Sequence, residues 1–170
     1  MITAQNTKTM NYTEDEKTSL VSHLTNYKWE RCVTLTTRRN YTSPELWEFL
    51  IDFIRRVDGR QHGKSEYWFG VSGVESDRDE SPEWTKDFYK KLHVHGVIRG
   101  VDTVTNDKLK KCWKGTPTIH TLDDGTRIEV KYQLGHTKIV HYDDKPEWLW
   151  YIVNQTRRGE IFTNIGGIPV

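Results

Sequence analysis

The sequence predicts a single α+β domain, an antiparallel central sheet with helices packed on it. Three observations carry that expectation. Stretches of strand period and stretches of helix period alternate irregularly, as strand, helix, strand, strand, helix, strands, helix, which departs from the strict repeat of a parallel α/β fold. At 170 residues the chain suffices for one hydrophobic core and leaves no room for a second large domain. Seven tryptophans within 35% hydrophobic residues provide enough apolar surface to exclude disorder.

In chain order, residues 1–30 read as an N-terminal appendage that is partly helical, and residues 31–170 as the domain proper. Tyr12-Thr13 precedes Glu14, and Leu20, Val21 and Leu24 fall on one side of the helix that follows. Cys32-Val33-Thr34-Leu35-Thr36-Thr37 alternates and is β-branched, as a strand requires. Ser43-Pro44-Glu45 opens a helix whose apolar positions Leu46, Phe49, Leu50, Phe53, Ile54 and Val57 keep helical spacing, and Gly59 ends it. Residues 67–74 form a second strand, and residues 92–98 a third beyond an acidic, proline-containing loop. A basic helix is expected over residues 106–115, capped by Thr105 or Asn106. Residues 118–142 read as strands around the Asp124-Gly125 turn and the Leu134-Gly135 break, ending in Lys138-Ile139-Val140-His141. Residues 146–158 form a last helix, opened at Pro146 and followed by Gly159. This order suggests a split βαβ arrangement of the ferredoxin or RRM-like kind, with the helices on one face.

Composition narrows the function classes. No apolar run approaches the roughly 18 residues of a membrane span, and the polar first residues lack the order of a signal peptide, so a cytoplasmic protein without a membrane partner is expected. Cys32 and Cys112 have no CxxC spacing, which points to neither a disulfide framework nor a thiolate metal site. The formal net charge is only +1, but positive residues gather at Arg38-Arg39, Arg55-Arg56, Lys108, Lys110, Lys111 and Lys114, and Arg157-Arg158. Acids gather at residues 14–16 and 77–83, so a basic face on a nearly neutral protein is expected.

His93-Val94-His95 is the centre of the chemical reading. In a strand, residues i and i+2 point to the same side, so both imidazoles reach one metal ion while Val94 turns to the core. The second strand ends in Gly73-Val74-Glu75, and two consecutive strands that pair would set the Glu75 carboxylate beside the histidines. Two histidines and a carboxylate leave positions for water and phosphate oxygens, which suits catalytic Mg²⁺ or Mn²⁺ better than a closed structural site. Tyr151 stands in the last helix, in Trp148-Leu149-Trp150-Tyr151-Ile152-Val153-Asn154, where packing and nucleophilic roles are both open to it.

Together these residues resemble the HUH endonucleases, in particular the replication-initiator (Rep) branch of rolling-circle plasmids and viruses, whose three motifs occur here in the same order. The apolar and threonine strand of the first motif resembles residues 32–37, and the second matches Leu92-His93-Val94-His95-Gly96-Val97-Ile98. The family's additional acidic ligand falls on Glu75. The tyrosine helix of the third matches at Tyr151, but Asn154 stands where the family has a lysine. A Tyr-x-x-Lys also occurs at Tyr142-Asp143-Asp144-Lys145, outside the expected helix, which makes Tyr142 the second choice of nucleophile.

The resemblance, which spans about residues 31–158, implies a metal-dependent nickase and strand transferase acting on single-stranded or hairpin origin DNA. Tyr151 would be the catalytic residue and Glu75, His93 and His95 the ligands of Mg²⁺ or Mn²⁺. Arg38, Arg39, Lys108, Lys110, Lys111, Arg157 and Arg158 would contact the DNA backbone, and Trp68 or Trp113 is available to stack on bases. With no motor domain present, a host or separately encoded helicase would unwind the DNA and a polymerase would extend the released end; an oligomer is compatible with the sequence. Rival readings are a non-catalytic nucleic-acid-binding module on the same α+β layout, and a relaxase or transposase of the same superfamily.

Overall fold

The computed structural model describes residues 11–61, 63–73, 91–115, 118–130 and 133–166. Within them the elements run α1 (Glu14–Leu24), β1 (Arg31–Leu35), α2 (Ser43–Asp58), β2 (Glu66–Ser72), β3 (His93–Arg99), α3 (Asn106–Lys110), β4 (Thr118–Thr121), β5 (Arg127–Val130), β6 (Thr137–His141), α4 (Pro146–Gln155) and β7 (Thr156–Thr163). The domain is α+β, with an antiparallel five-stranded sheet in the order β6-β1-β3-β2-β7. Strand β3 lies between β1 and β2, which the α2 crossover joins, so the expected split βαβ unit is present. The hairpin β4–β5 forms its own two-stranded sheet around the Asp124-Gly125 turn.

Local chemistry sets the helix starts. Thr13 and Thr42 each accept a hydrogen bond from the backbone N–H three residues on, and Glu16 and Glu45 reach back to the cap N–H, completing capping boxes on α1 and α2. Helix α3 ends at Lys110, short of the expected residue 115. The chain leaves the helix there because the fully buried Trp113 is drawn into the core, its Nε1 donating to Thr36 O at 2.7 Å. Helix α4 stops at Gln155, and β7, which the sequence pattern did not announce, follows with no intervening loop.

The helices are divided over both faces of the sheet, where one covered face was expected. Helices α2 and α3 pack on the side of Val33, Leu35, Phe69, Val71, Val94 and Ile98. Helices α1 and α4 pack on the other, over Cys32, Trp68 and Val97. The N-terminal segment, expected as an appendage, supplies Leu20, Val21, Leu24 and Trp29 to that second core cluster. Trp68 and Trp113 are fully buried, one in each cluster, which corrects the expectation that they offer faces for base stacking. No described helix is long and apolar enough to cross a membrane.

Candidate metal and tyrosine site

Strand alternation puts His93 and His95 on the α4 side and Val94 on the α2 side, as the triplet predicted. Their Nε2 atoms stand 3.1 Å apart, and both residues are buried, with 6% and 4% of their surface exposed. Each ring is anchored by its other nitrogen. His93 Nδ1 is 2.7 Å from Lys91 O, and because a carbonyl can only accept, Nδ1 carries the proton and the neutral ring's lone pair sits on Nε2. His95 Nδ1 is 3.1 Å from Thr34 Oγ1, a hydroxyl that can donate or accept. With Thr34 donating, His95 Nε2–H donates to His93 Nε2 and the pair is satisfied by itself. With Thr34 accepting, both Nε2 lone pairs converge on one point.

That second state fits a divalent cation. Metal–imidazole bonds of about 2.0–2.1 Å span the 3.1 Å separation at an angle between octahedral and tetrahedral. Outer hydrogen bonds to a backbone carbonyl and a hydroxyl are what orients metal-binding histidines. A further polar atom is free beside them: Ser72 pairs with His93 across the strands, and its buried Oγ has no hydrogen-bond partner. Among the described residues, no group of three or more His, Cys, Asp or Glu gathers that could hold an ion. Glu75, the expected third ligand, lies outside the described residues.

Burial favours the uncharged form of both rings. It lowers His93, against the raising effect of the bond to Lys91 O, and with the neighbouring charge of His93 it takes His95 down to about 3. Both are therefore neutral at physiological pH, the protonation state that coordinates metal.

Helix α4 brings Tyr151 to the pair. The turn into it bends at Asp144, whose φ of 59° lies in the left-handed region that short polar side chains tolerate. Leu149, Ile152 and Val153 are buried toward α1 and the sheet. Trp148 and Tyr151, one turn apart, stack with centroids 5.2 Å apart. The His95 ring meets Tyr151 edge-on at 5.2 Å and Trp148 at 6.2 Å. Tyr151 keeps 43% of its surface exposed, so the phenol is open to an incoming molecule while its ring covers the histidine. At the far end of the helix, Thr156 Oγ1 donates to Ile152 O at 2.6 Å, and its side chain fills the space above Gly70, where a Cβ would collide with it. Tyr142 is placed differently. Its hydroxyl donates to Lys145 O at 3.2 Å, and burial, with the charges of Cys32 and nearby acids, pushes it up to about 12.

The expected basic residues are dispersed. Arg38 and Arg39 are exposed just beyond β1, at the end of the sheet where β3 begins with His93. Lys108, Lys110 and Lys111 belong to α3 and its cap, across the sheet from the histidines. Arg157 and Arg158 lie in β7 rather than in the helix, paired with Glu160 at 3.3 Å and Glu16 at 2.6 Å. The register adds residues that the sequence reading passed over. The row through His95 runs Lys138, Thr34, His95, Gly70, Ile161 across the five strands, so the exposed Lys138 shares the histidine side one strand beyond Thr34. Period alone marks Thr34 and Lys138 as facing one way or the other, but only strand order sets Thr34 beside His95 and Lys138 one strand beyond it.

Family models, curated proteins and solved structures were compared with the chain, and none matches it.

Proposed function

We propose that the protein is a metal-dependent, tyrosine-using single-stranded DNA nickase and strand transferase of the HUH replication-initiator type. The observation that carries this reading is the approach of His93 Nε2 to His95 Nε2 at 3.1 Å, with the half-exposed ring of Tyr151 edge-on to His95 at 5.2 Å. A buried histidine pair serving packing alone has no need of an accessible phenol on top of it.

In this reading His93 and His95, joined by Glu75, hold Mg²⁺ or Mn²⁺, which when bound supplies Lewis-acid polarisation of a phosphate oxygen. Tyr151 is the nucleophile. An ordinary phenol, with a pKa of about 10, attacks slowly at neutral pH, so its proton has to leave as the new bond forms. The phenolic oxygen bonds to phosphorus, the bond from phosphorus to the 3′-oxygen breaks, and that oxygen takes the electron pair and a proton. The products are a free 3′-hydroxyl and a 5′-phosphotyrosine. The adduct conserves the energy of the phosphodiester, so the reverse attack by a 3′-hydroxyl rejoins strands without a nucleotide cofactor. Arg38, Arg39 and Lys138 are the exposed cations suited to the DNA backbone near the site, and Lys138 offers the positive charge that Asn154 lacks. Trp148, stacked on Tyr151, holds the phenol's ring plane.

The rival reading, a sheet-face binding module, needs an open sheet surface, and the described helices cover both faces. The deciding experiment incubates the protein with Mn²⁺ or Mg²⁺ and labelled single-stranded oligonucleotides carrying hairpin or origin-like sequences, followed by a denaturing gel. A slow-migrating covalent adduct is expected for the wild type and absent in Tyr151→Phe and His93→Ala. An adduct that survives Tyr151→Phe moves the nucleophile to another tyrosine, Tyr142 first. Binding with no adduct under any metal returns the protein to the non-catalytic class.

A further inference from the structure

A second polar site lies on the opposite side of the sheet. A cavity of about 360 Å³ is bordered by residues 102–107, Arg31 and His141. Arg31 opens β1, opposite His141 of β6, and has the strand parity of Val33 and Leu35, so it faces away from the metal and tyrosine site. Only 6% of its surface is exposed. Its Nε donates to Asn106 Oδ1 at 2.8 Å, and its two terminal nitrogens reach Glu30 O at 3.2 Å and Val104 O at 3.5 Å. All three acceptors are neutral, and none of the ion pairs among the described residues involves Arg31. A guanidinium carries five N–H donors, so this buried cation has donors to spare.

The rest of the lining decides the ligand class. Asp102 and Asp107 border the same cavity and are exposed, ready to accept hydrogen bonds. A bare phosphate would meet two carboxylates, a metal cation would meet the fixed guanidinium, and an apolar molecule would leave both sets of groups unpaired. A neutral planar ring with acceptors along one edge and donors along the next satisfies both. Guanine is such a ring: O6 and N7 accept from an arginine, while N1–H and the N2 amine donate to carboxylates. The volume lies near the lower end of the roughly 300–1,000 Å³ of small-molecule sites, room for a single nucleotide.

We propose that this cavity takes the guanine base of a single-stranded DNA chain, held between Arg31 and the carboxylates of Asp102 and Asp107. The proposal rests on the nickase reading for the identity of the polymer, and it deepens that reading by giving the substrate one preferred base.

The test uses the full chain in EDTA, so that neither metal nor cleavage is needed. Thymine-flanked trinucleotides with a central guanine, adenine, cytosine or thymine are titrated in by calorimetry, and amide shifts map the contact. The guanine trinucleotide is expected to bind about tenfold or more tightly than the others, with shifts centred on residues 102–107. Replacing the central base by 7-deazaguanine, which lacks N7, or by hypoxanthine, which lacks the N2 amine, should each weaken binding several-fold. These edits leave the protein untouched. Asp107→Asn, at an exposed position, should weaken the guanine ligand specifically. Equal affinity for the four trinucleotides, or inorganic phosphate competing as well as the guanine ligand, overturns the proposal. A guanine preference in a protein that forms no tyrosine adduct keeps this cavity assigned and removes the nickase reading; an adduct without guanine preference does the reverse.

Discussion

Lowering the pH in the absence of divalent metal should destabilise this protein through His95, and the size of the loss follows from the site. Burial and the neighbouring charge of His93 hold His95 near 3 in the folded chain, whereas an unfolded histidine titrates near about 6.5. The unfolded state therefore binds the proton first. Stability from this group is fully present above about pH 6.5 and falls as pH drops toward 3, with a limiting slope of about 1.4 kcal/mol per pH unit. Between pH 7.5 and 5.0 the loss from His95 is about 2 kcal/mol, a large share of the roughly 5–15 kcal/mol by which domains are stable. The residue is 4% exposed, so solvent screening takes little from that figure. His93, lowered by burial in the same direction, adds to it. Urea unfolding followed by tryptophan fluorescence across this range, on wild type and His95→Asn in EDTA, isolates the contribution, because the carboxylates common to both cancel. The wild type should lose about 2 kcal/mol more than the variant. Parallel pH profiles would refute the argument and show that the buried pair is protonated or solvated in the fold. Saturating Mn²⁺ should raise wild-type stability at pH 7.5, where both imidazoles are in the neutral form that coordination requires.

Other outcomes follow from neighbouring contacts. Thr34→Val removes the hydroxyl that orients His95 Nδ1 and should reduce Mn²⁺ affinity about 10–100-fold by calorimetry, with circular dichroism unchanged. Gly70→Ala forces a Cβ into Thr156 and should cost about 1–3 kcal/mol in urea unfolding, less in a Thr156→Ala background, as directly coupled positions require. Lys138→Ala should weaken single-stranded DNA binding and lower the salt dependence of log K by about 0.7, one phosphate contact, while Lys138→Arg retains both. Cys32 is buried and its thiol pushed up to about 12 by burial and by the charge of Asp143, so alkylation at pH 8 should track global unfolding rather than proceed from the native state.

What the sequence disclosed and what it hid have physical causes. Long amphipathic α2 and the β-branched runs of β1 and β3 were legible by period, as was the placement of His93 and His95 on one side. The second helical layer was also signalled. Tyr67-Trp68-Phe69-Gly70-Val71 is a continuous rather than alternating run, the mark of a strand covered on both faces. Strand β7 stayed hidden because Thr156-Arg157-Arg158-Gly159-Glu160 opens it with polar residues, as edge strands do, and because no turn separates it from α4. Lys138 and Thr34 stayed hidden because their proximity to His95 is a matter of strand order, which local pattern does not encode.

Covering both faces changes how a substrate could meet the histidines. On an open sheet, DNA would lie across the strands, but here α4 roofs the α4-side surface and Tyr151 is its half-exposed edge. The roof is held by more than its own packing. Leu149, Ile152 and Val153 share a cluster with Leu20, Val21 and Leu24 of α1. Beyond the helix, Asn11 bridges Arg157, Gly159 N donates to Tyr12 Oη at 2.9 Å, and Arg158 pairs with Glu16. The N-terminal segment thus clamps the chain on the far side of the tyrosine helix, and the Thr156 contact over Gly70 fixes the same point from below. Tyr151 owes its position over His95 to two elements that do not touch the chemistry, so its distance from the histidines is set by tertiary packing across more than a hundred residues of sequence. On the nickase reading, a phenol held that way would need little reorganisation when a phosphate arrives, which is what an attack depending on alignment requires.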